Sequence, residues 1–346
     1  MSKSLQRERD FGQFLKILWR KGRPDYLPFF ELLASPGFIA RRTGTRFDEM
    51  SPDDAGYWRI YVDFWYGMGY DCVPMEVPLN CPLPEAAHSH SIGSESRVVI
   101  QTTEDYEKYQ WPDESAPIDF SYFEQVAALL PEGVKIIGGA GGGPYEWLTY
   151  MMGTVGLSYA LADNPELVEM MLKRLGNLHC SAVRQLASME AIGALRQGDD
   201  LGFKTSTFLS PKFLRQHVFP IYKTMASESH EAGKPFILHS CGNLSEVYED
   251  LIEYCKIDAK HSFEDGILPV SEFKKQYGDR ITPLGGLDVD VICRGTEEEV
   301  RAYARKQVEA CFYDDYWALG TGNSLADYMP VGNYIAVLEE GLSVTA

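Results

Sequence analysis

The chain has 346 residues, of which 45% are hydrophobic, 24% charged and 12% aromatic, a balance typical of globular proteins. This composition excludes a disordered chain, a collagen and a coiled coil. The formal net charge of -18, from 50 acidic and 32 basic residues, disfavours binding to nucleic acid and to anionic membrane surfaces, because both are negatively charged.

The N-terminal residues 1–23 mix charged and apolar side chains and lack the apolar core of a signal peptide. Phe11, Phe14, Leu15 and Leu18 recur at helical spacing, which predicts an N-terminal helical extension. No stretch approaches 18 consecutive apolar residues, so the sequence predicts no transmembrane helix. The seven cysteines are odd in number and scattered, which favours free thiols in a reducing cytoplasm over a disulfide framework.

Short predicted strands alternate with longer predicted helices along the chain. The strands are expected at 24–33, 70–77, 96–102, 134–139, 193–198, 235–240, 257–262, 281–285 and 316–319. The helices are expected at 54–69, 118–130, 144–161, 164–190, 211–232, 244–255, 269–277, 296–312 and 328–341. This alternation predicts an α/β fold with βαβ units on a parallel sheet. Because no Pro-, Gly- or Ser-rich linker divides the chain, we expect residues 1–346 to form one (β/α)8 TIM barrel, with a doubly wound open sheet as the alternative.

Polar side chains follow nearly every predicted strand. In a (β/α)8 barrel the carboxyl ends of the strands form the active face, so these side chains are candidates for a catalytic site. They are Glu31, Glu146, Asp199, Asp200, His239, Cys241, His261, Glu264, Asp288, Asp290 and Asn323.

The segment PFILHSCGN carries the strongest local signal for a metal site. An apolar strand leads to His239 and Cys241, which point to the same side of an extended backbone because one residue separates them. Imidazole and thiolate both suit Zn²⁺, and a third protein ligand would leave the fourth position open to substrate, as in catalytic zinc sites. A buried histidine beside a small buried thiol is the alternative interpretation.

Other motifs leave several interpretations open. The glycine-rich run at 138–143 precedes a helix but lacks the lysine of a P-loop, which favours a tight turn near a ligand over a nucleotide site. Asp199 and Asp200 have two interpretations. They are either functional, as an acid/base pair or a substrate clamp, or structural, with one acid capping a helix and the other exposed to solvent. His88 and His90 favour a surface loop over metal ligation.

An aromatic-rich stretch lies within the predicted helix at 54–69. Its side chains either form the floor of a pocket for a methoxyaromatic compound or, the favoured interpretation, pack in the core and between subunits. They are Tyr57, Trp58, Tyr61, Phe64, Trp65 and Tyr66. A homodimer is compatible with the sequence, which does not fix the oligomeric state.

The segment HSCGN followed by DLIEYCKIDAKHSFED resembles the uroporphyrinogen decarboxylase superfamily. Supporting stretches cover most of the chain in the order of the family: PDYLPFFELLA, GYDCVPMEV, GGPYEWL, ALRQGDDLGFKTSTFLSP, TPLGGLDVD and LGTGNSLADYMPVGNYIAVLEEG. The resemblance implies a (β/α)8 barrel and one of two chemistries. One branch decarboxylates a tetrapyrrole without a cofactor, and the other transfers methyl groups to or from corrinoid proteins with the help of zinc.

His239, Cys241 and Gly242 resemble the zinc-binding element of the methyltransferase branch. The N-terminal region GRPDYLPFFELLA lacks the Arg-rich RQAGRY-type motif with which the decarboxylases hold their polycarboxylate substrate. The resemblance therefore implies a zinc-dependent, cytoplasmic methyltransferase acting between a small O-, N- or S-methyl compound and a corrinoid (cobalamin) protein. A cofactor-free decarboxylase, with Asp199 or Asp200 protonating a carbanion, is the alternative. A non-catalytic corrinoid- or tetrapyrrole-binding protein is the second alternative.

The sequence departs from the methyltransferase pattern at the last predicted strand. The family's second zinc-binding cysteine corresponds to Asn323, which follows Gly322. A carboxylate is expected to take its place, with Glu146 and Glu264 as the first candidates and Asp199 and Asp200 behind them. The expected site thus has His239, Cys241, Glu146 and Glu264 at the metal, Asp199, Asp200 and Asn323 in catalysis, and Glu31 and Asp288 in substrate binding.

Overall fold

The computed structural model describes residue 5 and residues 7–84 and 97–344. Its parallel sheet has six strands that pair in chain order. They are β1 (Cys72–Val77), β2 (Lys135–Ala140), β3 (Ile192–Gly198), β4 (Phe236–His239), β5 (Ala259–His261) and β6 (Thr282–Pro283). The strand order never reverses, so the alternative of a doubly wound sheet is wrong.

Helices connect successive strands and surround the sheet. They are α1 (Phe11–Leu18), α2 (Pro36–Thr43), α3 (Tyr57–Gly67), α4 (Thr103–Lys108), α5 (Ser121–Leu129), α6 (Pro144–Met152), α7 (Thr154–Asp163), α8 (Pro165–Ala187), α9 (Pro211–Phe213), α10 (Phe219–Glu231), α11 (Val270–Tyr277), α12 (Val289–Arg294), α13 (Glu297–Cys311) and α14 (Val331–Leu342). Residues Phe47–Glu49 form a 3-10 turn, and Leu214–Val218 and Asp250–Tyr254 are π-helical. Among the described residues, none of these helices is long and apolar enough to cross a bilayer.

Two further segments continue the parallel order beyond β6. Leu284 pairs with Ala318, and Leu319 pairs with Phe29, each through an isolated parallel bridge. The strands predicted at 316–319 and 24–33 therefore occupy the last and first positions of a (β/α)8 barrel, which confirms the predicted fold class. Within the described residues no backbone hydrogen bond joins the first segment to β1, so the hydrogen-bonded ladder is not closed at this seam.

Two arginines connect the sides of the open seam. Arg7 donates hydrogen bonds to the carbonyl oxygen of Leu27 (2.7 Å) and to the carboxylate of Asp71 (2.8 Å). Nearer the carboxyl ends of the strands, Arg196 donates to the carbonyl oxygen of Leu32 (2.6 Å) and to Glu76 (2.9 Å). These charge-assisted hydrogen bonds join the first segment to β1 and the residue before it, where backbone ladder hydrogen bonds are missing.

Replacement of Arg7 by Met is expected to lower the free energy of unfolding by about 3 kcal/mol, because it leaves the Asp71 carboxylate buried without its cation. The side chains of this ion pair are only 10% and 1% exposed. Chemical denaturation of the wild type and of R7M measures the difference. The matched control is Arg59→Met, which removes a solvent-exposed ion pair with Asp63 and is expected to change stability by less than about 0.5 kcal/mol. Equal stability of R7M and wild type would show that Arg7 does not hold the seam.

The N-terminal helical extension predicted from the sequence is helix α1. It begins after Asp10, whose side chain accepts the backbone N–H of Gly12. Its apolar face, formed by Phe11, Phe14, Ile17 and Leu18, covers the amino-terminal end of the barrel. There it packs on an inward-facing layer with one residue from each strand or segment: Phe30, Cys72, Ile137, Ala194, Ile237, Ala259, Leu284 and Ala318. With this end closed, the opposite end is the face left for a site.

Two details of the predicted secondary structure are wrong. The described part of the strand expected at 96–102 contains no strand, and the N–H groups of Val99 and Ile100 instead donate to the carbonyl oxygen of Met151. A short apolar run satisfies the strand pattern equally well when it packs against a helix end. The helix expected at 144–161 is divided into α6 and α7 at Gly153, whose φ of 72° few other residues adopt.

Candidate metal and catalytic site

Strand β4 and the turn that follows it position the two residues of the His-x-Cys motif. His239 is the last residue of β4 and lies between Gly198 of β3 and His261 of β5 in the register of the sheet. Three residues later Gly242 adopts a φ of 80°, and a Cβ there would lie 2.1 Å from the carbonyl oxygen of Gly202. Only glycine allows this close approach, which places Cys241 against the loop that follows β3.

Asp200, His239 and Cys241 bring three potential ligand atoms to one point. These atoms all lie within 4.8 Å of one another. His239 Nε2 is 3.5 Å from Asp200 Oδ1 and 3.5 Å from Cys241 Sγ. With zinc–ligand bonds of about 2.0–2.3 Å, tetrahedral geometry requires nitrogen–oxygen and nitrogen–sulfur separations of about 3.4–3.6 Å. The three side chains therefore fit a tetrahedral cation with one position left open.

The electrostatics of the three groups suit a cation. Burial lowers the pKa of His239, which favours the neutral imidazole that binds metals. Burial opposes ionisation of Asp200, but His239 in its protonated form and the N–H of Cys241 outweigh it and lower the Asp200 pKa to about 2. Burial, followed by the charge of Asp200, raises the pKa of Cys241 to about 12, so the thiolate at this position needs a compensating positive charge.

The last barrel segment brings Asn323 to the same place. Its amide Nδ2 lies 3.4 Å from Cys241 Sγ, and the hydroxyl of Ser262 lies 3.5 Å from the same sulfur. Asn323 thus lies next to the candidate ligands. This is the position at which the resemblance to the methyltransferases predicts a second cysteine. Its catalytic role stays a prediction.

Glu146 and Asp199 lie beside the three candidate ligands, Asp200, His239 and Cys241, but both accept backbone hydrogen bonds at the start of helix α6. Asp199 is buried and accepts hydrogen bonds from the N–H groups of Tyr145 and Glu146 and from the hydroxyl of Tyr222. Glu146 accepts the N–H of Gly143, and burial together with the charge of Asp200 raises its pKa to about 7. Asp199 therefore anchors the start of α6, and Glu146 is placed to hold a proton close to Asp200.

Glu264 and Asp288 lie on the neighbouring side of the barrel mouth. Together with Asn323 they line a cavity of about 520 Å³. The carboxylate of Asp288 accepts the N–H groups of Asp290 and Val291 and so caps α12. Neither Glu264 nor Glu146 belongs to the group of converging ligand atoms found among the described residues. Their roles as metal ligands, and that of Asp288 in substrate binding, remain predictions.

Glu31 is buried, and its described hydrogen bonds all come from other residues of the chain. Its carboxylate accepts the N–H and the hydroxyl of Thr321 (2.5 and 2.7 Å) and the hydroxyl of Tyr334 (2.6 Å). It thereby fixes the last barrel segment two residues before Asn323. Its expected role in substrate binding stays a prediction, and the contacts themselves describe a positioning role.

Stability should fall as the pH rises from about 5 to 7, in part because of Glu31. Burial raises its pKa to about 7, so the folded state retains a proton that the unfolded chain releases near pH 4.5. The carboxyl therefore costs up to about 1.4 kcal/mol of stability per pH unit in this window. Thermal unfolding of wild type and Glu31→Gln across pH 5–8 tests this, and the variant should show a shallower fall. Identical slopes would show that Glu31 does not titrate in this window.

His261 lies beside the candidate ligands, although no sequence motif supported a role for it there. Its ring nitrogen Nδ1 lies 2.7 Å from Nδ1 of His239, and its Nε2 lies 3.0 Å from the carbonyl oxygen of Thr321. The signal was its place at the end of β5, directly beside His239 in register. His88 and His90, the other histidine pair considered, lie outside the described residues.

Part of the aromatic stretch lines a second cavity. Phe64 and Trp65 are buried in the core, as the favoured interpretation expects. Tyr57, Trp58 and Tyr61 also pack against the core, and they line a cavity of about 260 Å³ between the first segment and β1. Arg196 also lines it, and the charge of Arg196 contributes to lowering the pKa of His239. The cavity therefore lies at the open seam. Arg196 links it electrostatically to His239, one of the three candidate metal ligands.

The uroporphyrinogen decarboxylase (URO-D) profile matches residues 23–340, so the chain belongs to the URO-D family. The structure is similar to a methyltransferase from Methanosarcina mazei, with 16% identity, a TM-score of 0.72, and coverage of 96% of this chain and 98% of that chain. At this identity the likeness shows the fold, and it confirms the barrel architecture.

Other structural similarities are weaker. A putative vitamin-B12 independent methionine synthase from Listeria monocytogenes has 12% identity and a TM-score of 0.49, covering 92% of this chain and 96% of that chain. An endo-beta-1,4-xylanase from Gloeophyllum trabeum has 11% identity and a TM-score of 0.44, covering 67% and 82%. No curated protein matches the sequence.

Proposed function

We propose that this protein is a zinc-dependent methyltransferase that moves a methyl group between a small O-, N- or S-methyl compound and a corrinoid protein. The observation that carries the proposal is the convergence of Asp200, His239 and Cys241 at the carboxyl ends of β3 and β4. Catalytic sites of this fold lie at that end of the strands. One imidazole, one thiolate and one carboxylate form a ligand set that zinc accepts with an open fourth position.

Zinc bound there supplies Lewis acidity to the heteroatom that carries or receives the methyl group. The residues of this chain hold the reactants around that position. Asn323 donates to the sulfur of Cys241 and so moderates the charge of the thiolate. Glu146, with its pKa raised to about 7, holds a proton near Asp200 that can pass to a released heteroatom.

The charge of the mouth supports this proposal over decarboxylation of a porphyrinogen. The described residues that line the 520 Å³ cavity include the acids Glu264, Asp288 and Asp290 against one base, Lys204. The buried Arg196 of β3 already pairs with Glu76 and the carbonyl oxygen of Leu32. A substrate with several carboxylates would meet net negative charge here and would lack the bidentate arginine contacts that recognise carboxylates.

The experiment that tests the function measures methyl transfer directly. The purified protein, loaded with zinc, is incubated with reduced cobalamin and a panel of methyl ethers, methylamines and methyl thioethers, and methylcobalamin formation is followed by its absorbance. We expect transfer from at least one compound class and none after removal of zinc with a chelator. Loss of carboxylate from a porphyrinogen that a chelator does not affect would contradict the proposal. Tight corrinoid binding without turnover of any class would favour a binding protein instead.

A further inference from the structure

The two buried histidines at the ends of β4 and β5 form a hydrogen-bonded chain. His239 and His261 share a contact of 2.7 Å between their Nδ1 atoms, and His261 Nε2 approaches the carbonyl oxygen of Thr321 at 3.0 Å. Both residues are buried, with exposures of 6% for His239 and 0% for His261. The ring of Phe30 meets His261 edge to face at 5.2 Å, and a Cβ on Gly285 would lie 3.1 Å from its Nε2. The orientation of His261 is therefore fixed by packing.

The hydrogen-bond partners determine where each proton lies. A carbonyl oxygen only accepts hydrogen bonds, so the contact with Thr321 requires a proton on His261 Nε2. A neutral His261 then has an unprotonated Nδ1, which accepts a hydrogen bond. The 2.7 Å contact between the two Nδ1 atoms requires one proton, and it must come from His239. His239 consequently carries its proton on Nδ1 and has a free lone pair on Nε2.

The opposite arrangement requires a buried charge or a repulsive contact. If neutral His239 were protonated on Nε2, its Nδ1 would have to accept a hydrogen bond from Nδ1–H of His261. His261 would then be either doubly protonated in a buried site or would direct a lone pair at the Thr321 carbonyl oxygen. Both alternatives are costly in a buried environment. The 3.5 Å separation of His239 Nε2 from Asp200 Oδ1 is also longer than a charge-assisted hydrogen bond of 2.7–2.9 Å.

We infer that His261 is a positioning residue that fixes His239 in its Nδ1-protonated tautomer and directs the Nε2 lone pair towards Asp200 and Cys241, ready to bind a divalent cation. Partners of this kind orient a metal-binding imidazole and increase metal affinity, typically by 10–100-fold. Glu31 supports the arrangement from behind, because it fixes Thr321, the acceptor at the end of the chain. The tautomer follows from the geometry alone, whereas the effect on zinc affinity rests on the proposed function.

The test uses two variants of similar shape, His261→Asn and His261→Leu. Both remove the ring and its contact with Thr321, but only Asn places an acceptor oxygen near the position of Nδ1. The first measurement is the ¹H–¹⁵N spectrum of the imidazole rings in the zinc-free protein, where the His239 signals are assigned by comparison with His239→Asn. We expect the proton on Nδ1 of His239 in the wild type and in H261N, and a mixture of tautomers in H261L.

The second measurement is zinc affinity by competition with a chromophoric chelator. We expect H261L to lose 10–100-fold in affinity and H261N to remain close to the wild type. A proton on Nε2 of His239 in the wild type, or equal affinity losses in both variants, would overturn the inference. If H261L does not fold, the tautomer of His239 in the wild type and in H261N still tests the inference. A wild type with the expected tautomer but no zinc binding would overturn the proposed function and support the tautomer assignment.

Discussion

His239→Ala and Cys241→Ala are expected to purify without zinc, whereas the wild type holds about one zinc ion per chain. Each substitution removes one of three converging ligands, and the remaining pair cannot hold zinc against buffer and chelating side chains. Methyl transfer should fall to background in both variants. Elemental analysis after identical purification, combined with the cobalamin assay, measures both effects.

The matched controls for this prediction are Cys180→Ala and His217→Ala. Cys180 lies on α8 and His217 in the π-helical segment before α10, both on helices outside the barrel. They change the same residue types without touching the site, so zinc content and transfer should match the wild type. Equal zinc in all five proteins would show that the metal binds elsewhere, and negligible zinc in all five would remove the mechanism.

Asn323→Cys is expected to increase zinc affinity at least tenfold while it slows methyl transfer. The Asn323 amide already lies 3.4 Å from Cys241 Sγ, so a thiolate there would be close enough to join the site. Thiolate is a much better zinc ligand than a carboxamide. A fourth protein ligand also occupies the position left open for substrate, and for that reason the rate should fall as the affinity rises.

Ser324→Cys provides the control for a thiol added next to the site. Ser324 Oγ donates to Asn323 Oδ1 at 3.0 Å, and the contacts described for it include none with Asp200, His239 or Cys241. Zinc affinity of S324C should equal that of the wild type. If N323C binds zinc no more tightly than the wild type, the last barrel segment does not reach the metal, and the proposed arrangement of the site is wrong.

The third ligand shows where sequence reasoning reached its limit. The alternation of side chains on a strand made the convergence of His239 and Cys241 predictable. The same alternation sends the adjacent Asp199 and Asp200 in opposite directions, one to the start of α6 and one to Cys241. Which of the two faces the metal depends on the packing of α6 against β3. The sequence therefore placed Glu146 and Glu264 ahead of Asp200, which the structure brings beside His239 and Cys241.

The barrel was predictable from the rhythm of strands and helices, but its open seam was not. Pro24 and Pro28 in the first segment have no backbone N–H to contribute to a ladder, which is a local reason for the sparse pairing there. The compensation comes from Arg7 and Arg196, which lie 20 and 164 residues from their partners in the first segment. Contacts at such separations leave no periodic pattern in the sequence.

X-ray absorption at the zinc K-edge of the purified protein tests the central claim most directly. The account predicts zinc with one sulfur ligand at about 2.3 Å, from Cys241, and nitrogen or oxygen ligands at about 2.0–2.2 Å, from His239, Asp200 and a fourth exchangeable group. Absence of the zinc signal from Cys241→Ala purified in the same way would complete the assignment. A bound zinc ion without any sulfur ligand in the wild type, or a protein that binds no zinc at all, would contradict it.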